Sequence, residues 1–265
     1  MSGWWVVSDL DGTLLDHRYD WSPAAGTLER LRQRGIPVIP CTSKTAWEVR
    51  RFRRAAGLCD PFIVENGGAV LGEEAGGEWR LVLGRPAGEL QDALAGIAAA
   101  IGRPLRALAD CSPAEVTALT GLRGEEARRA REREWSVPFL LPCGTAEAAA
   151  RADWGPLLGA AAARGLKVVL GNRMAHLIDA ATDKGRALDA LRARCAAPGT
   201  RVLALGDSPN DEALLEAADV AVVVPGPEGP HPGLRAGIAA GRYRLAPAPH
   251  GAGWAAVVED LIDIG

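Results

Sequence analysis

The sequence predicts an α/β protein in which a parallel sheet carries helices on both faces and a second α+β unit is inserted into it. Three observations predict this fold class. Short apolar runs alternate with helical segments near both ends of the chain, which is typical of a parallel sheet. Polar clusters follow several of these runs, at the predicted strand ends. From about Gly84 the composition changes to long stretches rich in Ala and Arg.

The N-terminal part of the chain predicts strands and helices in alternation. Residues 4–7 form an apolar run that is too short for a helix, so they predict a strand. Ser22, as N-cap, and Pro23 predict the start of a helix that Gly35 ends. The next segments predict a strand over 36–41, a helix over 43–56, a strand over 62–64 and a hairpin over 69–71 and 79–83.

The middle of the chain predicts a separate unit, and the strand–helix alternation resumes near Lys184. In the middle we expect helices over 90–101, 112–120 and 124–134, and extended segments over 137–141, 167–170 and 175–178. After Lys184 we expect helices over 186–194, 212–218 and 253–262, and strands over 202–205 and 220–224. The predicted domains are a discontinuous core, 1–83 and 181–265, and an inserted domain, 84–180.

The composition excludes several classes of protein. The 265 residues include 30 basic and 33 acidic side chains, with a formal net charge of −3, so the basic field of a nucleic-acid binder is missing. No run of about 18 uncharged apolar residues predicts a membrane span, and no basic N-terminal segment with a long apolar run predicts a secretory signal. Five scattered cysteines without a CxxC pair predict reduced thiols and a cytoplasmic protein.

Acidic side chains follow two of the predicted strands. Asp9 and Asp11 alternate at the end of the first strand, so both carboxylates can face one pocket. Asp207 and Asp211 follow the strand over 202–205, and the carboxyl ends of parallel strands meet at one edge of the sheet. Converging carboxylates repel one another unless a cation lies among them. Oxygen ligands favour Mg²⁺, and no cluster of His and Cys favours zinc.

The same edge of the predicted sheet offers groups that bind a phosphoryl group. Lys184 lies at a helix start, and it is one of only three lysines in the chain, with Lys44 and Lys167. Thr42 and Ser43 follow the second strand and supply hydroxyl donors. A carboxylate nucleophile, a metal ion, an ammonium group and hydroxyl groups together indicate phosphoryl transfer through an aspartyl-phosphate.

Four motifs together resemble the haloacid dehalogenase superfamily of phosphatases. They are Asp-Leu-Asp-Gly-Thr-Leu at 9–14, Thr42-Ser43, Lys184-Gly185, and Gly-Asp-Ser-Pro-Asn-Asp at 206–211. The resemblance implies a Rossmann-like core with a parallel sheet. Because the large insertion falls between the second and third motifs, the resemblance also implies that it is an α+β cap domain of the C2 type.

The resemblance assigns a role to each motif residue. Asp9 would be the nucleophile, and Asp11 would protonate the leaving oxygen and then activate water. Thr42, or its neighbour Ser43, and Lys184 would hold the phosphoryl oxygens. Asp207 would bind Mg²⁺ together with Asp9 and the backbone carbonyl of Asp11, and Asp211 would support this metal site.

Further details are similar to the mannosyl-3-phosphoglycerate phosphatase branch of the superfamily. They are Tyr19-Asp20-Trp21, Thr42-Ser43-Lys44-Thr45, Glu65-Asn66-Gly67-Gly68 and Glu134-Trp135-Ser136. The implied substrate is a phosphorylated sugar-glycerate, mannosyl- or glucosyl-3-phosphoglycerate, and the implied product is the glycosylglycerate, a compatible solute. The candidate substrate-binding residues are Lys44, Asn66, Gly67, Gly68, Glu134, Ser136, Lys167, Asn172, Arg173 and His176, with His17 and Tyr19 at the pocket edge. A structural or solvent-exposed role remains the alternative for each.

Three other functions share these motifs. One is a broad-specificity sugar phosphatase of the Cof type, which also carries Glu-Asn-Gly after the third strand. The second is a phosphomutase of the phosphomannomutase branch, which retains the phosphoryl group and donates it again. The third is a sensor without catalysis, and the intact set of Asp9, Asp11, Lys184 and Asp207 argues against it.

Overall fold

The computed structural model of the chain describes residues 3–140, 153–170 and 174–262. The strands are β1 (Trp4–Ser8), β2 (Val38–Pro40), β3 (Phe62–Val64), β4 (Ala69–Glu74), β5 (Gly77–Val82), β6 (Arg106–Ala107), β7 (Val137–Leu140), β8 (Leu166–Leu170), β9 (Ala175–Asp179), β10 (Arg201–Gly206), β11 (Val220–Val223) and β12 (Arg244–Leu245). The helices are α1 (Ala25–Gln33), α2 (Ala46–Ala56), α3 (Ala87–Ile101), α4 (Pro113–Thr120), α5 (Gly124–Arg129), α6 (Gly155–Ala162), α7 (Lys184–Cys195), α8 (Glu212–Glu216), α9 (Arg235–Ala239) and α10 (His250–Ile262).

The central sheet has the order β12-β11-β10-β1-β2, and every pairing in it is parallel. The predicted fold class is therefore confirmed. A parallel bridge between Cys41 and Ile63 continues the sheet edge towards β3, which forms an antiparallel sheet with β4 and β5. The carboxyl ends of β1, β2 and β10 consequently lie side by side along one edge.

A second sheet lies in the chain between β5 and α7. Its order is β6-β7-β9-β8, and its pairings are antiparallel. Its own hydrophobic core includes Leu90 of α3, Phe139 of β7 and Leu177 of β9, each less than 1% exposed. We call the described residues between Ala87 and Asp179 the inserted unit.

The central sheet buries side chains on both of its faces because successive strand residues point in opposite directions. Along β1, Val6 joins one core cluster, whereas Trp5 and Val7 join the cluster on the other face. Trp254 of α10 is fully buried, and its indole N–H donates to the Ser8 hydroxyl at 2.9 Å. This bond fixes α10 against the end of β1. None of the helices in the described ranges is long and apolar enough to cross a membrane.

Two helix starts differ from the sequence prediction. The helix predicted over 43–56 starts at Ala46, because Thr45 and Glu48 form a capping box that ends the preceding loop. The prediction that Ser22 caps a helix is wrong. Its hydroxyl donates to Asp20, the residues Ser22–Ala24 form a 3₁₀ turn, and α1 begins only at Ala25.

Other differences concern short or alanine-rich segments. The helix predicted over 124–134 ends at Arg129, because the N–H groups of Arg131 and Glu132 donate to carbonyls three residues back and no longer four. Further along, the N–H groups of Glu134 and Trp135 donate to the Glu65 carboxylate. The pattern did not predict α6 or the short elements β6, α9 and β12. Three of these elements are too short to show a period, and α6, with the sequence Gly-Pro-Leu-Leu-Gly-Ala-Ala-Ala, has no polar face to contrast with its apolar one.

A buried histidine gives the fold a defined pH dependence. His176 is the second residue of β9, which lies between β7 and β8, and it is 7% exposed. Its pKa is about 3, because burial disfavours the charged form and Arg133 and Lys184 repel a proton. In the unfolded chain its pKa is about 6.5. Below about pH 6.5 the unfolded chain therefore binds one more proton than the folded one, and stability falls.

Between about pH 6.5 and 4, we expect the free energy of unfolding to fall less steeply with pH in His176→Gln than in the wild type. The difference in slope should be up to about 1.4 kcal/mol per pH unit, the effect of one proton. Urea titrations across this pH range measure the free energy of unfolding of both proteins. His17→Gln is the control, because the His17 side chain is exposed. Equal slopes for His176→Gln and the wild type would contradict the prediction.

Candidate active site

Three carboxylates meet where β1 and β10 end. Asp9 directly follows β1, Asp207 directly follows β10, and Asp211 lies at the end of a short 3₁₀ turn after β10. One oxygen from each lies within 4.8 Å of the others. The structure thus brings together residues that lie about 200 positions apart in the sequence, and the carboxylate of Asp11 is not part of this cluster.

A buried lysine links two of these carboxylates. Lys184, the first residue of α7, is fully buried, and its Nζ donates to Oδ1 of Asp9 at 2.7 Å and to Oδ1 of Asp211 at 2.5 Å. The other oxygen of Asp211 accepts the backbone N–H groups of Asp207 and Ser208 at 3.0 and 3.1 Å. Asp211 therefore positions both Lys184 and the loop that carries Asp207.

The cluster holds more negative than positive charge. Burial raises the pKa of Asp9 from 3.8 to about 7; Lys184 opposes this rise, and Asp211 adds to it. Burial, Asp211 and Asp9 raise the pKa of Asp207 well above its ordinary value. Burial alone would lower the pKa of Lys184, but the two carboxylates outweigh burial and raise it. One ammonium group thus leaves carboxylate charge uncompensated, and this set of oxygen donors fits a hard divalent cation.

The loop after β1 approaches Asp207 closely. Gly12 has a φ of +91°, and a Cβ atom there would lie 2.5 Å from Oδ2 of Asp207, so only glycine fits. The next residue, Thr13, donates its hydroxyl to Oδ1 of Asp207 at 3.1 Å. The Asp-Gly-Thr sequence therefore places Asp207 beside the loop that carries Asp9 and Asp11.

Asp11 forms an ion pair on the other side of this loop. Its Oδ2 lies 2.8 Å from Nζ of Lys44, which also lies 3.8 Å from Glu48 and 4.5 Å from the centroid of the Tyr19 ring. Burial would lower the pKa of Lys44, but Asp11 and Glu48 outweigh it and hold the pKa above its ordinary value. Lys44 is therefore a fully charged ammonium group that two carboxylates neutralise.

A cavity opens above Asp9 and is lined by both parts of the structure. The core contributes the sequence-predicted residues Asp9, Asp11, Ser43 and Lys44, as well as His17 and Tyr19. The inserted unit contributes His176, which was also predicted, together with Leu108, Thr120, Leu122, Ala130, Arg133 and Met174. The Tyr19 hydroxyl donates to the Thr120 carbonyl at 2.9 Å across the two parts. The inserted unit therefore covers Asp9.

Several predicted site residues lie outside this cavity lining. Thr42 is fully buried and its hydroxyl accepts the Lys44 N–H at 3.3 Å. Lys167 forms an ion pair with Asp183 at 3.2 Å. Gly67, with a φ of +93°, packs against the Asp183 carbonyl, where a Cβ atom would lie 2.2 Å from the oxygen. Of the rest, Asn66 accepts a hydrogen bond from Asn210 at 3.5 Å, and Gly68 lies against Trp135. The predicted residues Asn172 and Arg173 lie outside the described residues.

The Glu65 side chain explains the positions of the predicted residues Glu134 and Ser136. Glu65 is 1% exposed, and its carboxylate accepts the N–H groups of Glu134 and Trp135 at 2.9 and 3.0 Å and the hydroxyl of Ser136 at 2.7 Å. Burial raises the pKa of Glu65, and these donors and Arg133 oppose the rise. The Glu134 side chain is exposed and pairs with Arg80. The Glu134–Ser136 segment therefore attaches the inserted unit to the core.

Arg133 lines the cavity, but the sequence did not identify it as a site residue. Its guanidinium donates to the Ala130 carbonyl at 2.9 Å and to the Ser43 carbonyl of the core at 2.5 Å. Other lining residues outside the prediction are Gly12, Asp16, Glu48, Ser208 and Asn210. Arg133 directly precedes the singled-out Glu134-Trp135-Ser136, but it stands in an arginine-rich run that gave it no distinction.

Comparisons with known proteins agree with this geometry. The sequence profile of the family described as haloacid dehalogenase-like hydrolase matches residues 6–80 and 168–225. A protein of Persephonella marina (strain DSM 14350 / EX-H1), named glucosyl-3-phosphoglycerate/mannosyl-3-phosphoglycerate phosphatase, is 32% identical over 235 residues, covering 83% of this chain and 84% of its own.

Two solved structures share the fold. One is a Thermoplasma acidophilum protein, with a TM-score of 0.71, 16% identity and coverage of 100% of both chains. The other is the sucrose-phosphatase of Synechocystis sp. PCC6803 in complex with sucrose and phosphate, with a TM-score of 0.64, 19% identity and coverage of 100% of this chain and 98% of its own. The chain therefore belongs to the haloacid dehalogenase-like hydrolase family, as a phosphatase that hydrolyses phosphoric monoesters.

Proposed function

We propose that this phosphatase is Mg²⁺-dependent and hydrolyses a glycosyl-3-phosphoglycerate, mannosyl or glucosyl, to the glycosylglycerate and phosphate. The observation that carries the proposal is the buried Asp9–Lys184–Asp211 ion cluster at the base of a cavity that the inserted unit covers. The name of the Persephonella marina relative supports the choice of substrate. The cavity lining combines two cations, four carboxylates and neutral polar and apolar residues, and this mixture can hold a ligand with an anionic end and a sugar.

The chemistry uses two carboxylates in two steps. A carboxylate oxygen of Asp9 attacks the phosphorus atom, and the bond to the leaving oxygen breaks. Asp11, which must first take up a proton in place of its ion pair with Lys44, donates that proton to the leaving oxygen. Asp11 then takes a proton from water, which attacks the phosphorus atom and releases phosphate from Asp9. Lys184 neutralises the phosphoryl oxygens and holds Asp9 in place. Ser43, at the cavity wall, and the buried Thr42 are the candidate hydroxyl donors.

The residues present fit a bound Mg²⁺. Asp9 and Asp207 offer carboxylate oxygens within 4.8 Å of each other and of Asp211, and in the described part of the chain one ammonium group, that of Lys184, pairs with this cluster. We propose that these two side chains and the backbone carbonyl of Asp11 hold the ion, and that Asp211 supports them. When bound, the ion neutralises charge on the transferring phosphoryl group.

We also propose that residues 84–180 act as a cap domain on a core formed by 1–83 and 181–265. The cap would exclude water while the aspartyl-phosphate forms and would select the substrate. The contacts from Tyr19 to Thr120 and from Arg133 to Ser43 support this proposal, since both cross from one part to the other beside the cavity.

We expect Asp9→Asn to lower kcat by about 10⁴-fold or more without loss of fold, because the nucleophile is gone while Lys184 keeps Asp211 as a partner. Asp11→Asn should lower kcat by about 10²- to 10⁴-fold, because both steps need its proton. Phosphate release and circular dichroism measure the two effects.

The matched control for these variants is Asp189→Asn, an exposed position on α7, which should keep the wild-type rate. Acid quenching of the wild type during turnover, followed by mass spectrometry, should show a phosphoryl group on the peptide that contains Asp9. A near-normal rate for Asp9→Asn would rule out the covalent mechanism.

We expect EDTA to abolish activity and Mg²⁺ to restore it. Because an ion that binds only the folded state stabilises that state, Mg²⁺ should also raise the Tm of the wild type. Asp207→Asn should lose most of this rise in Tm, since it removes one of the proposed ligands. Full activity after extensive dialysis against EDTA would disprove the metal dependence.

The substrate is tested by phosphate release from a panel of esters in the presence of Mg²⁺. The panel contains mannosyl-3-phosphoglycerate, glucosyl-3-phosphoglycerate, 3-phosphoglycerate, mannose 6-phosphate and mannose 1-phosphate. We expect the highest kcat/KM for the two glycosyl-3-phosphoglycerates. Similar values across all esters would identify a broad-specificity sugar phosphatase, and interconversion of the mannose phosphates with little free phosphate would identify a phosphomutase.

A further inference from the structure

We propose that Arg133 of the inserted unit binds the carboxylate group of the substrate and so selects phosphorylated glycerates from other phosphate esters. This inference rests on the proposed function, because it assigns the recognition of the glycerate part to one side chain. Such a substrate carries a phosphoryl group and a carboxylate at the two ends of a three-carbon unit. After the phosphoryl group is bound at Asp9 and Lys184, the carboxylate still needs a cation.

The cations around the cavity differ in their partners. Lys184 donates to Asp9 and Asp211, and Lys44 pairs with Asp11 and Glu48. Arg133, in contrast, forms no ion pair with any carboxylate in the part of the chain that the structure describes, and its two hydrogen bonds go to neutral carbonyl oxygens. The carboxylates of Glu48 and Glu65 interact with this charge from beyond ion-pair distance. Arg133 therefore keeps N–H donors that no carboxylate of the described residues occupies.

The two backbone bonds also fix the orientation of the guanidinium. Nε donates to the Ala130 carbonyl and Nη1 donates to the Ser43 carbonyl. A guanidinium group has five N–H donors in one plane, so the N–H groups of Nη2 remain for a ligand. A group held in this way loses little freedom when a carboxylate binds, and this favours affinity.

Arg133 lines the same cavity as Asp9 and Asp11. Its guanidinium contacts Ser43, which follows Thr42 in the loop after β2 and lines the cavity together with Asp9 and Asp11. A substrate in this cavity can therefore present its phosphoryl group to Asp9 and its carboxylate to Arg133.

The surroundings of Arg133 strengthen the interaction. Leu108, Leu122 and Met174 of the inserted unit line the same cavity, and an apolar wall raises the strength of a charge-assisted hydrogen bond. His176 has a pKa of about 3, because it is buried near Arg133 and Lys184, so its ring is neutral and adds no competing charge. Its buried Nδ1, which has no hydrogen-bond partner among the described residues, offers a polar contact to the sugar.

The core itself determines where Arg133 lies. The Glu65 carboxylate holds the N–H groups of Glu134 and Trp135, the two residues that directly follow Arg133. The backbone next to Arg133 is therefore attached to the loop after β3, and the side chain is directed into the space above Asp9. Recognition of the carboxylate is in this way coupled to the placement of the inserted unit over the core.

The test compares 3-phosphoglycerate with glycerol 3-phosphate, two three-carbon monoesters that differ by the carboxylate. We expect Arg133→Gln to lower kcat/KM for 3-phosphoglycerate and for mannosyl-3-phosphoglycerate by about 10- to 100-fold, the range for losing a hydrogen bond to a charged group. The value for glycerol 3-phosphate should change by less than about 2-fold. Arg133→Lys keeps the charge but not the planar fork, so it should give an intermediate loss.

Arg128→Gln is the control, because Arg128 is an exposed residue of α5 that pairs with Glu125 and Glu132 outside the cavity. It should leave all three values unchanged. If Arg133→Gln loses kcat/KM equally for the two three-carbon esters, Arg133 has a structural role only. If kcat/KM falls for neither ester, the inference is also overturned. If Arg133→Gln does not fold, the same ratio in Arg133→Lys decides.

If the proposed function is wrong, a different measurement shows it. In that case the wild type would show no preference for glycosyl-3-phosphoglycerates over mannose 6-phosphate. The ratio between 3-phosphoglycerate and glycerol 3-phosphate in the Arg133 variants would still report whether this side chain binds a carboxylate.

Discussion

One fully buried ammonium group, Lys184, determines how the active site is built. Removing a charged group from water costs several kcal/mol unless it is paired and hydrogen-bonded, and Lys184 meets this requirement by contacting Asp9 and Asp211. These two carboxylates come from the loops after β1 and β10, so the ends of both strands must converge on the first residue of α7. With Asp207 beside them, the cluster holds an excess of negative charge. The same arrangement therefore ties three segments of the core together and offers oxygen donors that fit a divalent cation.

A second buried charge, the Glu65 carboxylate, connects the core to the inserted unit. Its three donors all come from the segment Glu134–Ser136, so losing the carboxylate would leave buried N–H groups without acceptors. Because three donors from consecutive residues meet one carboxylate, the contact fixes both the position and the orientation of the attached backbone. The cavity above Asp9 thus has one wall that is fixed by Lys184 and another that is fixed by Glu65.

The sequence predicted the features that depend on local pattern. Alternating apolar and helical segments predicted the parallel sheet, and the positions of Asp9 and Asp207 directly after strands predicted that they meet. The sequence did not predict the partners of Glu65, the ion pair between Lys44 and Asp11, or the place of Arg133 in the cavity. Each of these depends on contacts between segments that lie about 30 to 90 positions apart. Gly67 shows the same limit, because its packing against Asp183 is invisible in the local Glu-Asn-Gly-Gly sequence.

The use of lysine in a chain that is otherwise rich in arginine follows from the shape of the two cations. Lys184 lies between two carboxylates at 2.5 and 2.7 Å, where a compact ammonium group fits and a planar guanidinium would be too wide. Lys44 bridges Asp11 and Glu48 in a similar way under the Tyr19 ring. Arg133 differs from both lysines, because two carbonyl groups hold its planar guanidinium in place. A guanidinium held in this way can present parallel N–H bonds to an incoming carboxylate. Of these three cations, the two lysines pair with carboxylates of the protein, whereas the arginine is the one that we propose to meet the carboxylate of the substrate.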